Sequence, residues 1–293
     1  MRIAVASGKG GTGKTTVATN LAWVASQAGH AVSYVDCDVE EPNGHLFLNP
    51  EITSTQPVGT LCPEADATKC TLCGQCGELC QYSAIVCVGR KVLIYPELCH
   101  ACGGCALVCA PGAISEIERE TGRIKTGLAD RVRFFQGVLN VGEAMSTGVI
   151  HELKKRTPCT GLQILDAPPG TSCPVIETVR NSDLVLLVTE PTPFGLNDLQ
   201  LAVGMVRALG LPFGVVINRA GTGSTETRAY CHREGIPILA ELADDRRVAE
   251  AYSRGILASD RVPEFRTALE RLLSRILDSA CTALVAEKEE SLQ

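Results

Sequence analysis

Eight of the fifteen cysteines stand in two runs of identical spacing. Cys70, Cys73, Cys76 and Cys80 read C-x2-C-x2-C-x3-C, and Cys99, Cys102, Cys105 and Cys109 repeat the pattern 29 residues later. Three cysteines at two-residue gaps can wrap one iron–sulfur cubane, because a short loop brings their sulfurs to neighbouring irons. The fourth ligand then comes from the other run. The spacing predicts two [4Fe–4S] clusters with crossed ligands. Cys70, Cys73, Cys76 and Cys109 would hold one, and Cys99, Cys102, Cys105 and Cys80 the other. Zinc is the competing metal, but structural zinc sites usually draw two ligand pairs from separated turns, a pattern the doubled runs lack.

A second chemistry stands at the N-terminus. Gly8-Lys9-Gly10-Gly11-Thr12-Gly13-Lys14-Thr15 fits G-x-x-x-x-G-K-[ST]. Its glycines let the backbone curl until the N–H groups point inward at phosphate oxygens, and a following helix adds its positive end. Lys14 is expected on the β- and γ-phosphates of ATP and the Thr15 hydroxyl on Mg²⁺, with Thr16 beside it.

The elements that must position these groups alternate. Ile3–Ala6 is a strand, Thr15–Gln27 a helix stopped by Gly29, and Ala31–Val35 a second strand ending at Asp36-Cys37-Asp38. The cysteine-rich stretch follows, with short strands at Ile85–Val88 and Val92–Tyr95. Beyond it Glu143–Lys155 has a helical pattern, and Leu162–Leu165, Leu184–Thr189, Gly214–Asn218 and Ile238–Ala240 have the apolar runs of buried parallel strands. Glu264–Val285 is a terminal helix with an acidic tail. The expected architecture is α/β, a mostly parallel sheet with helices on both faces, interrupted after its second strand by a small α+β ferredoxin-like insert. The expected division is 1–58 and 127–293 for the ATP-binding domain and 59–126 for the insert.

Composition sets limits. Hydrophobic residues are 45% and aromatics 4%, which suits a Val-, Leu-, Ile- and Ala-rich sheet core. A net charge of −6 argues against nucleic acid or an anionic membrane as the main partner. No apolar run approaches the ~20 residues that span a bilayer, and the first strand leaves no room for an export segment. The expected location is the cytoplasm, where many cysteines point to metal rather than disulfides.

The K-G-G-x-G-K-T form of the loop resembles the deviant Walker A motif of the MinD/ParA/Mrp and nitrogenase iron protein superfamily. The resemblance implies an ATP-dependent homodimer in which Lys9 reaches the partner's nucleotide. Asp36-Cys37-Asp38-Val39-Glu40-Glu41-Pro42-Asn43 looks like that family's switch I, with Asp38 orienting the attacking water and Asp36 near Mg²⁺. Ile164-Leu165-Asp166-Ala167-Pro168-Pro169-Gly170 looks like its Walker B segment, with Asp166 holding Mg²⁺ through water and Gly170 as a hinge. Asn218 and Pro237 fall where the family walls its adenine pocket. Residues 70–114 resemble two-cluster bacterial ferredoxins, except that Gln81 and Ala110 stand where those carry proline.

Cys62, Cys87, Cys159, Cys231 and Cys281 read as small buried or surface residues. Cys37 and Cys173 flank the switch segments. Cys173 is either a packed thiol or, at a spacing from Asp166 similar to that in the nitrogenase iron protein, a metal ligand shared across a dimer. The C-terminal C-x-x-C of Mrp-type scaffolds is missing. Three functions fit: an ATPase coupled to electron transfer or metalloprotein maturation with a redox or metalloprotein partner, an electron carrier whose docking the nucleotide controls, and a positioning ATPase of the MinD type. In the last, Leu269, Leu272, Leu273 and Ile276 would form a membrane-surface stripe instead of packing on the sheet.

Overall fold

A computed structural model of the chain describes residues 1–221 and 223–290, with side chains described through Asp278. Cys281 therefore lies outside the described side chains. In chain order the elements begin β1 (Arg2–Ala6), α1 (Lys14–Gln27), β2 (Val32–Asp36), α2 (His45–Leu48) and β3 (Glu51–Ala65). The cysteine segment holds α3 (Gln75–Leu79), β4 (Ile85–Val88), β5 (Lys91–Ile94) and α4 (Gly104–Leu107). The chain returns through β6 (Ile114–Ala129) and β7 (Val132–Leu139) to α5 (Thr147–Arg156), β8 (Leu162–Asp166), α6 (Cys173–Val179), β9 (Leu184–Thr189) and α7 (Pro193–Ala208). It ends with β10 (Phe213–Ala220), α8 (Glu226–Arg233), β11 (Ile238–Ala243), α9 (Arg246–Ser253), α10 (Ala258–Arg261) and α11 (Pro263–Glu290).

Nine strands form one sheet in the order β11-β10-β9-β1-β8-β2-β7-β6-β3. The strands from β11 to β7 run parallel, and β6 and β3 continue antiparallel. The central strands are buried along their length because both faces are covered: Ile3, Ala4 and Val5 of β1 are fully buried. One face packs on α1 and α11 through Val17, Leu21, Leu269 and Leu272. The other packs on α5, α6 and α7 through Val149, Leu153, Val179 and Val203.

One expectation is corrected and one alternative is decided. The helix expected at Glu143–Lys155 begins only at Thr147, because Glu143 is held in the preceding loop by Arg119. The stripe Leu269, Leu272, Leu273 and Ile276 is no membrane face. All four side chains are buried in the core, a burial worth on the order of 8 kcal/mol before chain entropy is counted. Among the described residues no helix is long and apolar enough to cross a membrane.

The cysteine segment is carried on a ribbon. β3 and β6 pair from Glu51↔Leu128 to Ala65↔Ile114, but β7 pairs only with Gly122–Ala129 of β6. Beyond a register shift at Val58/Gly59 the two strands leave the sheet together and extend for about 20 Å at 3.4 Å per residue. The expected insert boundaries, 58/59 and 126/127, fall inside these two strands.

Candidate functional site

The carboxyl ends of the parallel strands open onto one cleft of about 410 Å³, where an open α/β sheet exposes its loop ends and helix N-termini. Lys9, Gly10, Gly11, Gly13, Lys14, Thr15 and Thr16 line it from the loop after β1. Gly13 caps α1 in the left-handed region, with φ at 90°. A Cβ there would sit 2.1 Å from Asn218 Nδ2, so glycine is required twice over, by dihedral and by space. Asn218, at the end of β10, donates to the Thr12 carbonyl at 2.8 Å and lines the cleft. Gly8 and Thr12 do not line it. The Thr12 hydroxyl is buried without a protein partner.

The floor of the cleft is a buried charge network. Lys14 Nζ donates to Asp166 Oδ1 at 2.7 Å, and Tyr34 donates to Asp166 Oδ2 at 2.8 Å. Asp36 stands behind them, fully buried, accepting from the Gly44 amide at 2.9 Å and from Gln136 at 3.4 Å. Burial opposes the charge of Lys14, yet Asp166, Asp38 and Asp36 together hold its ammonium above the ordinary lysine range. Burial, then the Asp166 charge, pushes Asp36 up to about 7. Asp38, half-buried on the cleft wall, is pushed up to about 6 chiefly by burial, with Lys14 opposing. Its carboxyl is thereby poised near neutrality.

Lys9 folds back within its own chain. Its ammonium lies 3.3 Å from Glu190 Oε1, and the same carboxylate takes Arg219 at 2.8 Å. Pro237 does not line the cleft. It precedes β11 at the amino end, and its carbonyl accepts from Val215 within the sheet. The wall is built instead by residues after the carboxyl end of the same strand, Ala243, Asp244 and Asp245, and by Val248, Ala249 and Tyr252 of α9. Tyr34 and this wall were missed from sequence. An aspartate N-cap at Asp245 was the available signal for the latter.

At the far end of the ribbon two small cavities lie side by side. Cys70, Cys73, Cys76 and Cys109 line one, together with Cys87. Cys80, Cys99, Cys102 and Cys105 line the other, together with His100 and Glu116. The 29-residue repeat is written into the backbone. Leu72 and Ala101, Gly74 and Gly103, and Ser83 and Gly112 all have positive φ at equivalent positions. Non-glycine residues are uncommon in that region, and here they curl each loop about its cavity. Backbone N–H groups face the sulfurs: Ala101 donates to Cys99 at 3.4 Å and Ala113 to Cys109 at 3.2 Å. Burial works against a Cys80 thiolate, but the backbone N–H groups of Tyr82 to Ile85 lower that thiol's pKa overall. Among the described residues no three His, Cys, Asp or Glu side chains converge on a single-ion site.

The remaining cysteines separate. Cys37 is buried in the core, where burial pushes its thiol up to about 12. Cys173 is exposed at the start of α6, not packed.

Arg119, at the base of the projecting ribbon, donates through both terminal nitrogens to Glu143 in the β7–α5 loop, and through one of them to the Pro96 carbonyl at 3.3 Å. It ties the cysteine segment to the nucleotide domain.

The chain is similar to several known proteins. An uncharacterized protein of Methanocaldococcus jannaschii is 30% identical over 87% of this chain and 90% of its own length. A second from the same organism is 35% identical over 75% and 79%. The iron-sulfur cluster carrier protein of Aquifex aeolicus is 26% identical over 94% of this chain and 68% of its own. The septum site-determining protein MinD of Pyrococcus horikoshii, solved with Mg-ADP, superposes with a TM-score of 0.59 at 21% identity, over 94% of this chain and 95% of that one. A sequence profile of the CobQ/CobB/MinD/ParA nucleotide binding domain matches residues 3–258. With the loop after β1, the buried Lys14–Asp166 pair and the parallel sheet all in place, the chain is a member of the CobQ/CobB/MinD/ParA nucleotide-binding family.

Proposed function

We propose that the chain is a dimerising ATPase whose nucleotide cycle is coupled to two [4Fe–4S] clusters in residues 59–126, serving electron transfer or the maturation of a metalloprotein partner. The observation that carries this reading is the sorting of the eight motif cysteines into two cavities, three from one run and one from the other in each. A cubane separates four thiolates by its own width, a spacing that cysteines around a cavity wall provide and a single-ion site does not. The clusters, when bound, supply one-electron storage. The name of the Aquifex aeolicus relative, an iron-sulfur cluster carrier protein, supports cluster handling.

In this reading the loop amides and Lys14 bind the ATP phosphates, and Thr15 with Asp166 holds Mg²⁺. Asp38 orients the water, and Lys9 leaves Glu190 for the nucleotide of a second copy. Tyr252 and Asn218 flank the space left for the base. Lys14 must exchange Asp166 for phosphate, which changes the charge beside Asp36. Asp36 is hydrogen-bonded to Gln136, and Gln136 pairs with Lys125 of β6 at the root of the ribbon. The clamp of Arg119 on Glu143 and Pro96 completes the connection. The test is anaerobic reconstitution followed by iron and sulfide counting and EPR of the reduced protein with ATP or ADP. About eight irons per chain and a nucleotide-dependent spectrum are expected. Absence of iron sinks the cluster assignment, and spectra indifferent to nucleotide sink the coupling.

A further inference from the structure

The first cavity holds five cysteines, one more than a cubane needs. Cys87 is the fifth, and it does not belong to either run. It lies in β4, and its sulfur is 3.9 Å from that of Cys76. The approach is enforced by the backbone. A Cβ on Gly77 would come within 3.4 Å of the Cys87 amide nitrogen and of Val86 Cα, so α3 rides directly on β4. The internal repeat makes the position meaningful. Adding 29 to Cys87 gives Glu116, and Glu116 lines the second cavity as Cys87 lines the first. The equivalent place beside each cavity is therefore filled by a side chain able to bind iron, a soft thiolate in one and a hard carboxylate in the other. Thiolate is the ligand that iron–sulfur clusters favour. Cys76 is buried and Cys87 only partly so, and both face the same space.

We propose that Cys87 is a reserve ligand for the cluster at Cys70, Cys73, Cys76 and Cys109, able to take over the iron otherwise held by Cys76. The inference rests on the two-cluster reading above. The step is a ligand exchange without redox change. The Cys87 thiol gives up its proton and forms an Fe–S bond, while the Cys76 thiolate leaves iron and accepts a proton. At the second cavity the place equivalent to Cys87 is taken by Glu116, which offers oxygen, and the spare thiol there, Cys62, meets Cys99 rather than Cys105. The two sites thus differ at one repeat-equivalent ligand: the first can lose Cys76 and keep its cluster, and the second cannot lose Cys105.

The experiment uses the full chain, reconstituted anaerobically, with iron and sulfide counts, EPR of the reduced protein and mass mapping of iodoacetamide-reactive cysteines. Wild type and Cys87→Ser are expected to hold about eight irons. Cys76→Ala is also expected to hold about eight, with one EPR signal altered, and Cys87, reactive in wild type, becomes protected. Cys76→Ala/Cys87→Ala falls to about four, a twofold loss. Cys105→Ala, the repeat-equivalent change facing Glu116, falls to about four as well. Nucleotide binding by every variant shows that the ATP domain is folded. Should Cys76→Ala fail that check, Cys76→Ser replaces it: protection of Cys87 supports the exchange, and continued reactivity refutes it. A Cys76→Ala protein with only four irons beside a wild type with eight overturns the role of Cys87 alone. A wild type without clusters overturns the two-cluster reading and this inference with it.

Discussion

Removal of the Lys14 ammonium tests the charge network on which the nucleotide reading stands. Lys14→Met keeps the length of the side chain and deletes its charge. Asp166 and Asp36 are both fully buried, and in the variant they face each other without the cation that lies 2.7 Å from Asp166. Removing one partner of a buried pair costs about 3–5 kcal/mol, because the other is left uncompensated. With a urea m-value of about 3 kcal/mol/M for a domain of this size, the midpoint falls by about 1–1.7 M. The chain has a single tryptophan, Trp23, on α1 of the nucleotide domain, so its fluorescence reports the unfolding of that domain. The pH dependence has a definite sign. Lys14 opposes the upward push on Asp36, so without it that carboxyl rises further in the folded state, the folded protein holds a proton that the unfolded chain releases, and stability is lost as pH rises. The deficit against wild type therefore widens from pH 5.5 to pH 8. Adding Asp166→Asn to the variant recovers most of the loss. An unchanged midpoint, or an equal deficit at both pH values, refutes the claim that Lys14 neutralises this cluster.

Three further outcomes follow from the same geometry. Asp36 is held at about 7 by burial and Asp166, so it contributes a loss of wild-type stability as pH climbs from about 4 to about 7. Asp36→Asn flattens that slope, as urea midpoints at pH 5, 6 and 7 will show. Gly13→Ala combines left-handed strain of about 1–2 kcal/mol with displacement of Asn218, and calorimetry should find ATP affinity lowered at least about tenfold. Gly210→Ala, also at positive φ but with open space around it, carries the strain alone and leaves ATP affinity unchanged. Glu190→Gln releases Lys9 from its partner within the chain, so ATP-induced dimers form at lower ATP concentration. Analytical ultracentrifugation measures the shift, and a dimer equally favoured in wild type and variant removes the proposed restraint.

Local signals were legible in the sequence because they arise from neighbouring residues. The glycine loop, the apolar strands β1, β2, β8 and β9, and the spacing of the two cysteine runs all depend on contacts within a few positions. Alternation of strand and helix, together with the right-handed crossover, then leaves few topologies, so the parallel sheet and the gathering of Lys14, Asp38 and Asn218 at its carboxyl edge followed. Pro237 shows the limit: it lies one residue before β11, but the cleft is at the other end of that strand, where Ala243 to Asp245 and Tyr252 stand. Tyr34 looked like another apolar strand residue, and only the pairing of β2 with β8 brings its hydroxyl to Asp166. Cys173 read as a packed thiol or a metal ligand shared across a dimer on sequence alone, and the start of α6 leaves it exposed. Sequence alone marked out the candidate residues for nucleotide and cluster chemistry, because motif spacing is a local property of the chain. The tertiary structure decided which of them meet, that the cysteine segment rides on a ribbon clamped by Arg119, and that Cys87 stands beside Cys76, because those distances are set by how strands and helices pack and not by motif spacing.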